Sequence, residues 1–331
     1  MTKASKARVS SHRERIFVAG HKGLVGAAVT KKILEKGRGE LILRERDSLD
    51  LTDRNKVADF FDSERPDIIV LAAAKVGGIL ANERNPVDFL EKNLQIQLNV
   101  ISAAASRGVS KLIFLGSSCI YPRGCKQPIR EEYLLTDSLE STNRAYALAK
   151  IVGIELCNSY NRQFGTQYVS LMPTNLYGPG DNYSPENSHV IPGLIRRIHE
   201  AKKKAYKNVV VWGTGTPKRE FLFCDDLADA CLFVMDNMAL IDNYLQEELA
   251  IPILNVGSGE EVSIKKLAQS ICTVIGYEGK LEFDSSKPDG TPRKLLDTTR
   301  MSNLGWTSST PLISGLKMAY QNFCERHGSE I

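Results

Sequence analysis

Three residues of this sequence have the types and spacing of a carbonyl-reducing centre. Tyr146 and Lys150 stand four residues apart in a segment of helical character, so both side chains are expected on one face of a helix. A free phenol has a pKa of ~10, and a nearby ammonium favours the phenolate and lowers that value. Ser117 follows an apolar run, where a hydroxyl at the carboxyl end of a strand can polarise a carbonyl. We expect Tyr146 to give a proton to a carbonyl oxygen that receives hydride.

Taken alone, a Tyr-x-x-x-Lys spacing is common in helices, and a serine at a strand end can be merely structural. A glycine-rich turn strengthens the prediction. Gly20, Gly23 and Gly26 lie between a β-type run (15–19) and a helical stretch (24–36). Such glycines let backbone N–H groups approach a pyrophosphate at a helix N-terminus. The predicted cofactor-binding turn is Gly20, His21, Lys22, Gly23, Leu24, Val25 and Gly26. Lys150 would then also hold the nicotinamide ribose.

The end of the second predicted strand favours NADP(H) over NAD(H). An NAD enzyme usually offers a carboxylate to the adenine ribose at this point, but the chain reads Arg44, Glu45, Arg46. Two guanidinium groups suit a 2′-phosphate. The alternative is a solvated loop of charges around Glu45.

The elements that must position these residues alternate along the chain. Apolar runs without polar alternation predict strands buried on both faces, at 15–19, 40–44, 67–73, 111–116 and 168–172. Helix-length segments lie between them, at 24–36, 53–64, 85–107 and 144–164. This order predicts an α/β fold, a Rossmann-type doubly wound parallel sheet that binds its ligand beyond the carboxyl ends of the strands.

The domain prediction follows from shifts in composition. Residues 1–14 are expected to be a disordered tail and 15–180 an NADP-binding domain, which the chain rejoins at about 220–257. A smaller C-terminal substrate-binding lobe would comprise 181–219 and 258–331.

Composition narrows the class of protein. No apolar run approaches the ~20 residues of a membrane span, so no membrane partner is expected. The net charge of +4 is carried by the first 15 residues, and the balanced remainder does not favour nucleic acid. Seven cysteines without a C-x-x-C pair argue against a disulfide framework and against a metal site, and favour the reducing cytoplasm.

The order of the glycine turn, Ser117, Tyr146 and Lys150 resembles that of the extended short-chain dehydrogenase/reductases that modify nucleotide sugars. Five longer segments are similar to those of the members that epimerise and reduce a GDP-bound keto sugar: 116–122, 172–179, 187–192, 211–217 with 219–221, and 287–294. The resemblance runs from about Arg15 to the last helix.

The resemblance implies a substrate and an acid–base pair. The substrate would be GDP-4-keto-6-deoxy-D-mannose, epimerised at the two carbons beside the ketone and then reduced there by NADPH. Inversion needs a base that removes a proton and an acid that returns one from the opposite face. If the strand continues through Cys119, residues 117 and 119 project to the same side, which makes Cys119 the expected base and His189 the acid. By type alone, Cys119 could equally be a small buried residue and His189 a helix-entry residue.

The resemblance also implies the binding residues. Those expected at the cofactor, besides the glycine turn, Arg44, Arg46 and Lys150, are Asp50, Leu51, Ala72, Ala73, Pro173, Asn175, Leu176 and His189. Those expected at the GDP-sugar are Arg197, Trp212, Arg219 and Asp289. Arginines can grip a pyrophosphate, tryptophan offers a flat surface, and a carboxylate can accept hydroxyl hydrogen bonds.

Three rival functions and an oligomeric state complete the predictions. A 4,6-dehydratase would be expected to carry an Asp-Glu pair where this chain has Ser118 and Cys119, and a plain 4-epimerase has no need of a Cys/His pair. A non-catalytic NADP-binding sensor could have lost the reducing centre, which is intact here. The helices predicted at 85–107 and 144–164 resemble the pair that usually forms a homodimer in this family.

Overall fold

The computed structural model describes residues 13–185, 188–248, 252–287 and 289–327. Its strands are β1 (Arg15–Ala19), β2 (Glu40–Ile42), β3 (Ile68–Leu71), β4 (Lys111–Leu115), β5 (Gln167–Pro173), β6 (Asn175–Tyr177), β7 (Asn208–Trp212), β8 (Lys218–Phe223), β9 (Ile253–Val256), β10 (Glu261–Ser263), β11 (Lys280–Asp284) and β12 (Arg293–Lys294).

The helices follow the same chain order. They are α1 (Leu24–Glu35), α2 (Arg54–Glu64), α3 (Ile79–Arg84), α4 (Pro86–Ser106), α5 (Arg144–Phe164), α6 (Val190–Lys203), α7 (Cys224–Asp236), α8 (Met238–Glu248), α9 (Ile264–Ile275), α10 (Thr299–Asn303) and α11 (Leu312–His327). Short 3₁₀ turns lie at Ser118–Ile120, Glu131–Tyr133 and Ser141–Asn143.

Six parallel strands form the main sheet, in the order β2-β1-β3-β4-β5-β9. The chain leaves β1 for one edge and returns on its other side as β3, so the order reverses between these two strands. The predicted doubly wound parallel sheet is confirmed. Ligands of such sheets bind at this reversal, beyond the carboxyl ends of β1 and β3.

Alternation along the strands explains the two layers of helices. Ile16 and Val18 of β1 enter one core cluster, which includes residues of α1, α7 and α8, while Phe17 and Ala19 enter the cluster with α2, α4 and α5. Successive strand side chains point to opposite faces, and each large apolar side chain buried in this way contributes roughly 1.5–3 kcal/mol. The sheet is therefore held from both sides.

The chain after β5 builds a smaller lobe and also returns to the main sheet. Strand β8 pairs with β6, β10 and β12, and β7 pairs with β11. A third core lies beneath α6, α9 and α11, and includes Leu194, Phe221, Leu267 and Phe323. Helix α7 joins the core around α1, and β9 extends the main sheet.

The boundaries of the predicted elements differ from the structure by at most two residues. The second strand ends at Ile42 rather than at 44, because the Arg44 side chain turns back, donates to the Leu43 carbonyl at 2.8 Å and pairs with Glu64. Residues 1–12 of the expected tail lie outside the described residues, while Glu14 forms ion pairs with Arg38 and Lys111. None of the described helices is both long and apolar enough to cross a bilayer.

Candidate active site

The glycine turn sits against the end of β3. Gly20 has φ +87°, and a Cβ there would lie 2.8 Å from the backbone nitrogen and Cα of Ala73. A Cβ on Gly26 would lie 2.1 Å from the Gly20 carbonyl oxygen, so helix α1 can begin on top of the turn only without it. Gly23 donates its N–H to that oxygen at 3.0 Å and is exposed on its outer side.

The start of α1 suits an anionic ligand. Its N-cap, Gly23, provides no side-chain cap, and the first turn holds no acidic residue. The N–H groups of a helix start attract anions when no side chain satisfies them. His21 Nδ1 is buried without a hydrogen-bond partner among the described residues. These features fit the pyrophosphate of a dinucleotide.

Only one of the two predicted phosphate-binding arginines is available. The Arg44 guanidinium pairs with Glu64 and lies 5.8 Å from the Phe60 ring centroid. Arg46 is exposed and forms no ion pair within the described parts of the chain. Glu45, which would repel a phosphate, is paired with Lys22 of the glycine turn, and this contact lowers its pKa. Arg46 therefore remains the stronger candidate for a 2′-phosphate.

The other predicted cofactor residues surround the same sheet edge. Ala72 and Ala73 follow β3 directly, and the Ala72 N–H donates to the Ala19 carbonyl at 3.0 Å. Asp50 accepts hydrogen bonds from the backbone and side chain of Thr52, which lower its pKa, and the Leu51 carbonyl accepts one from Asn99.

Pro173, Asn175 and Leu176 lie where β5 passes into β6. Asn175 Nδ2 donates to the Glu220 carbonyl at 2.8 Å. The buried Glu220 carboxylate accepts N–H groups from Gly259 and Leu296, at 2.8 and 3.0 Å, although desolvation raises its pKa. Sequence reasoning missed this residue, because its partners are other parts of the backbone far along the chain.

The structure brings Ser117, Tyr146 and Lys150 together. A hydrogen bond with Ser117 acts on the Tyr146 phenol, and Lys150 Nζ lies 5.9 Å from the Tyr146 ring centroid. Lys150 is buried and donates to the Leu115 carbonyl at 2.6 Å. Helix α5 comes this close to β4 because residue 153 is glycine: a Cβ there would lie 2.4 Å from the Phe114 ring.

Burial determines the pKa values of Tyr146 and Lys150. Desolvation raises the pKa of Tyr146, the nearby Cys119 raises it further, and the Ser117 hydrogen bond offsets part of the rise. Desolvation also lowers the pKa of Lys150 to about 7. The lowered phenol pKa expected from the spacing is therefore not found, because a half-charged, buried lysine cannot outweigh the loss of water around the phenol. A raised pKa keeps Tyr146 protonated, which is the form that a proton donor for reduction needs.

Cys119 reaches the site by a different geometry from the predicted one. The strand ends at Leu115, and Ser118–Ile120 forms a 3₁₀ turn, so the expected continuation of strand alternation through residue 119 is wrong. The Ser117 carbonyl accepts the Ile120 N–H at 3.2 Å, and the Ser117 side chain accepts the Cys119 N–H at 3.2 Å. The sulfur still lies close enough to Tyr146 to influence its pKa. It also receives a hydrogen bond from Lys294, with Nζ and Sγ 3.8 Å apart, a contact that sequence reasoning missed.

His189 is the N-cap residue of α6, and its carbonyl accepts the Gly193 N–H at 3.0 Å. The residue is exposed, and desolvation by the neighbouring protein lowers the pKa of its imidazole. The preceding Ser188 carbonyl oxygen lies 3.6 Å from the position of a Cβ on Gly78, next to the loop after β3. Within the described residues, no hydrogen bond joins His189 to Cys119 or Tyr146.

The predicted substrate residues line one edge of the smaller lobe. Arg197 donates to the Val210 carbonyl at 3.0 Å, next to the strand position of Trp212, whose side chain is 56% exposed. Arg219 lies on β8, where desolvation, the larger effect, lowers its pKa while Asp289 raises it. Neither guanidinium has an ion pair among the described residues, so both retain donors for a phosphate.

The Asp289 carboxylate, predicted to contact the GDP-sugar, forms hydrogen bonds with Thr214 in the structure. It accepts the Thr214 N–H at 2.7 Å and the Thr214 hydroxyl at 2.8 Å. It therefore fixes the turn that follows Trp212, and only its remaining lone pairs could accept hydroxyl groups from a sugar.

A dinucleotide turn at the sheet reversal, together with a serine, tyrosine and lysine at the end of β4, defines a short-chain dehydrogenase/reductase of the extended type. Comparison with known proteins gives the family. Residues 16–251 match the model of the NAD dependent epimerase/dehydratase family. The chain belongs to that family, within the GDP-L-fucose synthase group.

The similarity to known proteins extends over nearly the whole chain. The GDP-L-fucose synthase of Escherichia coli is 54% identical over 95% of this chain and 97% of its own length. A crystal structure of a GDP-6-OMe-4-keto-L-xylo-heptose reductase from C. jejuni has a TM-score of 0.89 and 34% identity, over 95% of this chain and 99% of the other. A GDP-L-fucose synthetase from Naegleria fowleri bound to NADP has a TM-score of 0.84 and 28% identity, with 96% of both chains covered.

Proposed function

We propose that this protein converts GDP-4-keto-6-deoxy-D-mannose to GDP-L-fucose, by epimerisation at C3 and C5 followed by NADPH-dependent reduction of the 4-keto group. One observation carries the proposal: the Tyr146 phenol interacts both with the Ser117 hydroxyl and with the Cys119 sulfur. A reducing group and a candidate carbon base thus meet at one position. The 54% identity with a GDP-L-fucose synthase supports this substrate over other GDP-sugars.

Reduction uses the protein groups that surround the ketone. When bound, NADPH would be the source of the hydride that reduces C4 of the sugar. Ser117 donates a hydrogen bond to the ketone oxygen and polarises it, and Tyr146 transfers its phenolic proton to that oxygen as the alkoxide forms. Lys150 orients the ribose and, in its charged form, compensates the phenolate that remains.

Epimerisation uses Cys119 and His189. A thiolate at Cys119 removes the proton beside the ketone, while the hydrogen bonds to the oxygen stabilise the enolate. His189 returns a proton from the opposite face. Its imidazole begins α6, and rotation of the side chain or movement of the 188–190 segment would bring it toward the sugar.

The nucleotide end binds in the smaller lobe. Arg197 and Arg219 contact the pyrophosphate, Trp212 packs against the nucleotide, and Asp289 holds the turn that follows the tryptophan. The glycine turn binds the NADP pyrophosphate, with Arg46 at the 2′-phosphate and Asp50, Leu51, Ala72, Ala73, Pro173, Asn175 and Leu176 along the cofactor.

We also propose a homodimer in the cytoplasm. Exposed apolar side chains on α4 and α5, including Leu98, Leu148 and Val152, support a helical interface between two copies. All seven cysteines are free thiols, which is consistent with a reducing compartment.

The function is tested by mixing purified protein with NADPH and GDP-4-keto-6-deoxy-D-mannose. Absorbance of the reduced nicotinamide should fall, and NMR should identify the product as GDP-L-fucose. Consumption of NADPH that yields only a sugar with unchanged C3 and C5 would contradict the epimerase half. A rate at least as high with a 4-keto heptose linked to GDP would favour the heptose reductases, whose fold is equally similar.

A further inference from the structure

A lysine of the smaller lobe is brought to Cys119 by a crossing of the chain. The segment that contains β12 runs back over the first lobe, where Ile129 donates its N–H to the Leu295 carbonyl at 2.7 Å. Leu295 in turn donates to Gln127 Oε1 at 2.8 Å. Between these anchors and β8, Lys294 points its ammonium at the Cys119 sulfur, at 3.8 Å.

The charge on this ammonium is not neutralised by a carboxylate. The neighbouring Arg293 is held by Glu261 at 2.6 Å, whereas Lys294 has no ion pair within the described ranges of the chain. A cation within about 4–6 Å of an acidic group favours the charged form of that group. For a thiol, the charged form is the thiolate, which is the reactive base.

We propose that Lys294 is a positioning residue for epimerisation: its ammonium donates a hydrogen bond to the Cys119 sulfur and stabilises the negative charge of the sulfur that removes the proton beside the ketone. This proposal rests on the function proposed above. The sulfur lone pair takes the proton, the C–H electron pair becomes the enolate, and Cys119 leaves the step as a neutral thiol. Lys294 keeps its protons throughout. The thiol releases its proton to water before the second carbon reacts.

Lys294 from β12 and Tyr146 from α5 both interact with the sulfur. Burial raises the pKa of Tyr146, so the phenol stays neutral in the range where thiols titrate.

The first experiment needs no substrate. The rate at which iodoacetamide alkylates Cys119 is measured from pH 6 to 10 by peptide mass spectrometry, in the unmodified protein and in Lys294→Met and Lys294→Arg. In Lys294→Met the midpoint should rise by about one pH unit, with roughly tenfold slower alkylation at pH 7. Lys294→Arg should keep the midpoint near that of the unmodified protein. Lys280→Met, which removes an exposed lysine from β11, is the matched control and should change nothing.

The second experiment follows deuterium uptake into GDP-4-keto-6-deoxy-D-mannose in heavy water without NADPH. In Lys294→Met, uptake should fall about tenfold at pH 7 and recover toward the unmodified rate as the pH rises. An unchanged alkylation midpoint would overturn the role of Lys294, as would an equal loss of uptake at every pH, which indicates a structural defect. Failure of the unmodified protein to take up deuterium would instead overturn the proposed function, whatever the alkylation data show.

Discussion

Replacement of Lys150 by methionine should stabilise the folded protein while it abolishes reduction. The Lys150 side chain is 3% exposed, and desolvation lowers the pKa of its ammonium from 10.5 to about 7. The unfolded chain binds this proton more tightly than the folded protein. Folding therefore costs free energy at every pH below the unfolded value, and the cost decreases as the pH rises from 7 toward 10.5.

The magnitude follows from the two pKa values. A tenfold difference in proton affinity between the folded and unfolded states corresponds to about 1.4 kcal/mol, so the cost is about 4 kcal/mol at pH 7 and about 2 kcal/mol at pH 9. Methionine removes the cost but also the hydrogen bond to the Leu115 carbonyl, a loss of about 1–3 kcal/mol that does not depend on pH. The variant should therefore be more stable at pH 7 by about 1–3 kcal/mol, with an advantage smaller by about 2 kcal/mol at pH 9.

The assay is urea unfolding of both proteins at the two pH values. Lys266→Met, at an exposed position of α9, is the control. Its free energy of unfolding should differ from that of the unmodified protein by the same amount at both pH values. The informative quantity is the change in the difference with pH, because hydrogen-bond and packing losses cancel from it. A stability difference that is equal at pH 7 and pH 9 would refute the argument that burial displaces the Lys150 titration.

Four further outcomes are expected. Arg46→Ala should weaken NADPH binding and leave NADH binding nearly unchanged in titrations of each cofactor; equal losses would exclude Arg46 from the 2′-phosphate site. Tyr146→Phe should slow reduction by about 10²–10⁴-fold, measured by nicotinamide absorbance, while the substrate still takes up deuterium from heavy water. Cys119→Ala should suppress that uptake, and uptake at the unmodified rate would show that the sulfur is not the base. Sedimentation at micromolar concentration should give a dimer, and a monomer would contradict the proposed helical interface.

The fold could be predicted from the sequence because its signals are local. The inner strands β1, β3, β4 and β5 are short apolar runs buried on both faces, and helix α5 has the predicted bounds of 144–164. The glycine turn, Tyr146 and Lys150 were found for the same reason, since a few residues of sequence determine both their conformation and their spacing.

The remainder of the site depends on contacts between distant parts of the chain. Glu64, twenty residues beyond Arg44, occupies its guanidinium, and no local pattern indicates that pair. Lys294 reaches Cys119 only because β12 crosses to the first lobe, 175 residues later in the sequence. The 3₁₀ turn at Ser118–Ile120 is stabilised by the side chain and the carbonyl of Ser117, and it ends the strand earlier than apolar patterning indicates.

The raised pKa of Tyr146 gives a physical reason why one phenol can serve two reactions in the proposed mechanism. During epimerisation the ketone oxygen becomes an enolate, which is a weak base because its charge is shared with carbon. A phenol of raised pKa donates a hydrogen bond to that oxygen but keeps its proton. After hydride arrives, the oxygen is an alkoxide, a far stronger base that takes the proton outright. Burial of Tyr146 therefore lets the same phenol stabilise the enolate by a hydrogen bond and protonate the alkoxide. An exposed phenol with an ordinary pKa would distinguish the enolate from the alkoxide less well.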